Sequence, residues 1–107
     1  TAVYTVAQAV AASRVPASYI APYVGRLADS GHDGVAVVTA MQDALRSSST
    51  EVLAASIRGI DVVHALATAG VDTVSVSPDL AAAMLSEPAT SADADVFEAA
   101  AAGLRGR

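Results

Sequence analysis

Two short stretches hold most of the reactive side chains of this protein. "APYVGR" runs from Ala21 to Arg26 and "LAASIR" from Leu53 to Arg58. Each ends in an arginine, whose planar guanidinium matches the oxygens of a phosphate or carboxylate. Ser56 adds a hydroxyl donor two residues before Arg58. Tyr23 lies three residues before Arg26, and its phenol can carry a proton in a partly dry site. A plainer reading stands beside this one. Asp29 follows Arg26 by three residues and Asp61 follows Arg58 by three, so each arginine can instead form a local surface ion pair. Tyr23 can equally be a rim tyrosine with its hydroxyl bonded to backbone.

Other groups carry weaker signals. Thr1 can hold a water or cap a helix. As an N-terminal nucleophile it would need cleavage before it and a donor set for an oxyanion, and the sequence displays neither. His32 sits in a glycine-rich stretch and is expected to be solvated. His64, between Val63 and Ala65, reads as a surface or interface histidine. Neither has a second ligand nearby, so no metal site is expected. All six basic residues are arginine, namely Arg14, Arg26, Arg46, Arg58, Arg105 and Arg107. Without lysine, this chain alone cannot form a lysine Schiff base.

The elements that position these groups follow from periodicity. "TAVY" at Thr1 reads as a strand end or a strand-to-helix turn. Val6, Ala7, Val10 and Ala11 recur at helical spacing, and Pro16 stops that helix near Arg14. Tyr19 to Val24 is an apolar strand. "GRLADSGHDG", Gly25 to Gly34, reads as a loop punctuated by Gly25, Gly31 and Gly34. A helix is predicted over Val35 to Arg46, with Val37, Val38, Met41 and Leu45 on one face, and "SSST" is its end and turn. Glu51 to Ser56 is a second full strand. Asp61 to Ala69 is a helix closed by Gly70. Asp72 to Ser77 is a third strand, and Pro78 opens a helix through Leu85. A capped, alanine-rich helix is predicted from Ser91 to Gly103, with "GLRGR" frayed.

Strands alternating with helices of about ten residues indicate βαβ units and a parallel sheet. Apolar strands fit a sheet covered on both faces. Three strands and a stub leave raw edges, and such units close best as an eight-stranded barrel of roughly 250 residues. The fold class expected is therefore α/β, half of a (β/α)8 TIM barrel. In such a barrel, chemistry sits where strands run into the following helices. Thr1, Tyr23, Arg26, Ser56, Arg58, Ser75 and Ser77 all fall at such ends, so the two arginines on neighbouring strands suggest an anion site.

Composition narrows the function. The chain has 107 residues, enough for one small domain, and 53% are hydrophobic, so a core can form. The formal net charge of −5 argues against a general nucleic-acid binder or an anionic-membrane binder, though not against a local anion site. Cysteine is absent, which removes disulfides and thiolate zinc sites and fits a reducing cytoplasm. No apolar run approaches a membrane span and no secretory leader is visible. Because Thr1 falls directly inside a structured-looking segment, the chain reads as a piece of something larger.

Together "TAVYTVAQAVAA", "YIAPYVGRLADSGHDG", "EVLAASIR" and "AGVDTVSVSPDLAAAML" resemble the transaldolase family, most closely its fructose-6-phosphate aldolase and transaldolase-like branch. The resemblance covers nearly the whole chain in order. It implies the C-terminal half of the TIM barrel, residues 1–107 forming one half-domain from the end of strand five to helix eight. It implies class I, Schiff-base chemistry on a sugar phosphate, as a lyase or transferase of carbohydrate metabolism, with no cofactor. The Schiff-base lysine belongs to strand four of the family, so the resemblance implies a partner: an N-terminal half-barrel, separate or cleaved, that carries it. By position, Thr1 matches the threonine that helps hold the catalytic water, and Tyr23 the acid/base tyrosine of the aldolase branch. Arg26, Ser56 and Arg58 match phosphate-binding positions. Ala21 matches a substrate-binding position that is Ser in classical transaldolases, and Ala21 with Tyr23 favours an aldolase-like rather than a strict transferase reading. The resemblance further implies a homo-oligomer assembled through the C-terminal helix, where Phe97 to Ala102 is alanine-rich. The alternative is a non-catalytic half-barrel that serves interaction or assembly.

Overall fold

The computed structural model describes residues 1–71 and 73–106. The elements run α1 (Val6–Arg14), β1 (Tyr19–Ile20), α2 (Val24–Asp29), α3 (Gly34–Ala44), β2 (Glu51–Ala54), α4 (Ile60–Thr68), β3 (Thr73–Val74), α5 (Pro78–Leu85) and α6 (Pro88–Arg105). The alternation predicted a mixed α/β architecture with a small parallel sheet, and that is what forms. The sheet order is β1-β2-β3, with Tyr19 opposite Glu51, Ile20 opposite Val52, Leu53 opposite Thr73 and Ala54 opposite Val74, all parallel. Val3 bridges Pro22 in parallel, so the predicted stub lies alongside β1 on its other edge.

Local chemistry sets the helix limits. Thr5 caps α1: its Oγ1 accepts from the Gln8 amide at 3.1 Å, and the Gln8 side chain accepts from the Thr5 amide at 3.2 Å, a reciprocal box. Asp33 caps α3 by accepting from the Ala36 amide. Ser77 caps α5 by accepting from the Leu80 amide, with Pro78 in the first turn. Gly70 has φ +87°, and the Val71 and Gly70 amides reach back to Leu66 and Ala67, which closes α4 as predicted.

The segment Gly25 to Gly34 differs from the predicted loop. Residues Val24–Asp29 are helical, and the strand predicted to Val24 is regular only over Tyr19–Ile20. The physical reason lies in Val24 and Leu27, spaced by three and both buried, which give the segment a core-facing side. Gly31, at φ +86°, ends this helix: the His32 amide donates to Leu27 and the Gly31 amide to Ala28. Gly31 therefore stops a helix where the sequence pattern reads as loop punctuation. The final helix also departs from expectation. It begins at Pro88, capped by Glu87, and stays helical through Arg105. The predicted strand start at Asp72 and the last residue, Arg107, lie outside the described residues.

The core sits between the sheet and α1, α3 and α4. Ile20, Val38, Met41, Leu66 and Val71 are buried almost completely. On β2, Val52 and Ala54 are buried while Leu53 is only half-buried, the two-residue alternation of a strand covered better on one face than the other. Among the described residues α6 buries none of its side chains, and Val96, Phe97 and Leu104 are exposed. No helix among these residues is long and apolar enough to cross a membrane.

Candidate functional site

The two reactive stretches lie against one another. The Ala55 amide donates to the Pro22 carbonyl, the Val24 amide to the Ala55 carbonyl and the Gly25 amide to the Ser56 carbonyl, each at 2.9 Å. Tyr23 and Ala55 form an isolated parallel bridge. The chain of "APYVGR" thus continues the sheet pairing beyond β1 and turns into α2 directly beside "LAASIR". A Cβ placed on Gly25 would lie 2.6 Å from the Ser56 carbonyl oxygen, 2.7 Å from Arg58 Nε and 2.8 Å from Ser56 Oγ. Glycine is required here for close approach, since any side chain would push into Ser56 and Arg58.

Ser56 has φ +60°, a left-handed conformation unusual for a residue with a Cβ. It costs about 1 kcal/mol or more and persists because flanking contacts hold it. In this conformation its carbonyl and its hydroxyl both lie against Gly25.

Tyr23 is half-buried. Its ring meets the Tyr4 ring edge-on, with centroids 6.0 Å apart and planes at 86°. The Arg26 guanidinium carbon lies 5.0 Å from the Tyr23 centroid, within reach of a cation–π attraction. Arg26 and Tyr23 are therefore held as a pair.

Arg58 takes a different partner from the one its spacing offers. Its Nη1 and Nη2 donate to the two carboxylate oxygens of Asp29 on α2, at 2.5 and 2.8 Å. The local pairings Arg26–Asp29 and Arg58–Asp61 do not form; among the described residues Arg26 has no carboxylate within ion-pair distance. The reason is topological. The close approach at Gly25 brings the Arg58 guanidinium over α2, where Asp29 projects. Asp61 instead lies in the first turn of α4, next to Gly59, where the helix dipole favours a carboxylate. The bond from Arg58 holds the Asp29 carboxyl below its ordinary value. Desolvation opposes this, and the charges of Arg58 and Arg26 add to it. The same bond raises Arg58.

A cavity of about 350 Å³ opens beside this group, lined in part by Gly25, His32, Asp33, Ser56, Arg58 and Val62. A cleft of about 380 Å³ lies at the opposite ends of the strands, against Thr50, Glu51 and Thr73, away from these side chains. The remaining candidates are more dispersed. Thr1 is exposed. Ala21 is half-buried and its carbonyl accepts from the Val3 amide. Ser77 is occupied as the cap of α5. His32 is exposed beside Ser30, and His64 is exposed on α4. Sequence reasoning missed Tyr4 as the support of Tyr23, and Asp29 as the partner of Arg58. Asp29 was visible only as a neighbour of the wrong arginine.

Comparison with known proteins identifies the family. The family described as Transaldolase/Fructose-6-phosphate aldolase matches residues 1–105. A probable transaldolase of Phenylobacterium zucineum is 36% identical over 89 residues, covering 81% of this chain and 41% of that protein. One from Lactiplantibacillus plantarum is 35% identical over 92 residues, covering 84% and 42%. Probable transaldolase 1 of Listeria monocytogenes is 35% identical over 99 residues, covering 91% and 46%. The chain spans less than half the length of these curated relatives and aligns with their C-terminal half. With the family matched over residues 1–105 and several relatives above 30% identity, this chain belongs to the transaldolase/fructose-6-phosphate aldolase family.

Proposed function

We propose that residues 1–107 form the C-terminal half of a (β/α)8 barrel, from the end of strand five to helix eight, in a class I sugar-phosphate aldolase or transaldolase-like enzyme. A lysine-bearing N-terminal half supplies the Schiff base. Arg26, Arg58 and Ser56 bind the substrate phosphate. Thr1 holds the catalytic water, which works with Tyr23 as acid and base. As the bond between C3 and C4 of the ketose breaks, the proton of the C4 hydroxyl passes to the water and Tyr23. The bonding pair moves into the iminium to give an enamine, and the aldehyde leaves. Ala21 lines the substrate beside Tyr23. The observation that supports this reading most is the interlock of the two strand ends at Gly25, with Tyr23, Arg26, Ser56 and Arg58 grouped around it. Family membership supports a sugar phosphate as the substrate class.

A second reading is a non-catalytic half-barrel that serves assembly. Exposed Val96, Phe97 and Leu104 on α6 favour it, and they would equally serve a homo-oligomer of the enzyme. One experiment separates the two. This chain, assembled with a lysine-bearing N-terminal half, is incubated with fructose 6-phosphate, reduced with borohydride and weighed under denaturing conditions. The expected result is a reduced adduct on the lysine-bearing half, and Tyr23→Phe should still form an adduct while failing to release the aldehyde. Assembly without any adduct would leave the second reading standing.

A further inference from the structure

We propose that Asp29 is an internal counter-anion of the phosphate site: its carboxylate fills the Arg58 fork when no phosphate is bound and yields it when one arrives. This inference rests on the phosphate-binding reading above and deepens it. The contact is end-on and bidentate, using both terminal nitrogens of Arg58 and both oxygens of Asp29. Two phosphate oxygens would use the same fork, so carboxylate and phosphate compete for it. A Cβ placed on Gly25 would lie 2.7 Å from Arg58 Nε, so the base of the guanidinium packs over that glycine while its fork faces Asp29. In this proposal the guanidinium stays in place and the anion exchanges.

Three further features suit Asp29 to this role. Its side chain and that of Arg58 are both more than half exposed, at 59% and 56%, so the pair breaks easily. The two residues are 29 positions apart in sequence, so the contact exists only where the two strand ends meet. Arg26 precedes Asp29 by one helical turn on α2 and its charge also acts on that carboxylate, so Asp29 sits in the field of both proposed phosphate-binding arginines. The exchange also filters ligands. A phosphate dianion gains over a single carboxylate in this field, whereas a monoanionic ligand merely replaces one charge with its equal.

The test measures inorganic phosphate binding by calorimetry on the complete barrel that carries this chain. The variants are Asp29→Asn, Asp33→Asn and Arg58→Ala. Asp29→Asn keeps the shape and removes the charge. Asp33→Asn removes a charge from the same cavity wall without touching the Arg58 fork, and asparagine still caps α3. We expect Asp29→Asn to tighten phosphate binding about three- to tenfold, the size of one partly exposed charged hydrogen-bonded pair. Asp33→Asn should change it much less, and Arg58→Ala should weaken it. Unchanged or weaker binding in Asp29→Asn, with binding lost in Arg58→Ala, overturns the counter-anion role alone. Equal tightening in both aspartate variants overturns it as well, since bulk charge then explains the effect. If phosphate does not bind, or binds Arg58→Ala as well as it binds the parent, the phosphate site and this inference fall together. Thermal melts check that each variant remains folded.

Discussion

The region around Gly25 and the helix α6 are built in opposite ways. At Gly25 three backbone hydrogen bonds, a left-handed serine and a long-range ion pair converge within a few residues. Along α6, 18 residues form a helix that buries none of its side chains. The first is over-determined by tertiary contacts; the second is held by local propensity, a proline in its first turn and its cap. Substitutions should therefore be felt strongly near the strand ends and in the core, and weakly along α6.

The sharpest way to expose this asymmetry is the core packed against the sheet. Leu66 is fully buried and lies one turn before the Gly70 cap. Leu66→Ala should cost about 2–5 kcal/mol in urea unfolding. Next comes Gly25→Ala. The added methyl meets the Ser56 carbonyl and Arg58 Nε at under 3 Å, so the cost should be about 1–3 kcal/mol. Phosphate binding should fall with it, because Arg58 must move. Were Gly25→Ala neutral in both respects, the strand ends would not be interlocked as described.

A smaller effect of opposite sign sharpens the picture. Ser56→Gly relieves the left-handed conformation and should stabilise the fold by up to about 1 kcal/mol in thermal or urea unfolding, while the loss of the hydroxyl weakens phosphate binding. Stability and binding moving apart would mark strain held for function. On α6, Phe97→Ala should change unfolding by no more than about 0.5 kcal/mol, since the ring is 71% exposed. A large loss of stability there would mean that α6 is covered by another surface, and its concentration dependence would show whether that surface is a second copy.

The smallest effect concerns pH. Asp29 is depressed below its ordinary 3.8, so its contribution to stability is present above that value and is lost as pH falls through the lower, folded value. Both partners are well exposed, so the loss should be slight. Comparing melts of the parent and Asp29→Asn below pH 4 should show the curves converging, and a gap that persists at low pH would separate the effect from the Arg58 pair.

Much of the architecture was legible in the sequence because it is encoded locally. Pro16, Gly70 and Pro78 mark helix limits through backbone chemistry that involves only near neighbours, and those limits agree with the structure, whereas Ser77, read as the end of a strand, caps α5. The segment Gly25 to Gly34 was not legible. Glycine at its start resembles a loop signal, and only burial of Val24 and Leu27 against the rest of the chain makes the helix worth forming. The site divides in the same way. Tyr23, Arg26, Ser56 and Arg58 stood out by type and spacing, whereas Asp29 stood out only as a neighbour of Arg26.

By itself, then, the amino-acid sequence determined the alternating pattern, the parallel sheet it implies, the family and the residue types gathered at the strand ends. The pattern and the sheet depend on composition, period and caps, which act over a few residues, and the family rests on motifs matched in order along the chain. Tertiary structure alone decided which guanidinium meets which carboxylate, that Ser56 is left-handed, and that Gly25 serves close approach within a helix. Those outcomes depend on two stretches some thirty residues apart being pressed together, and spacing along the chain carries no record of that contact.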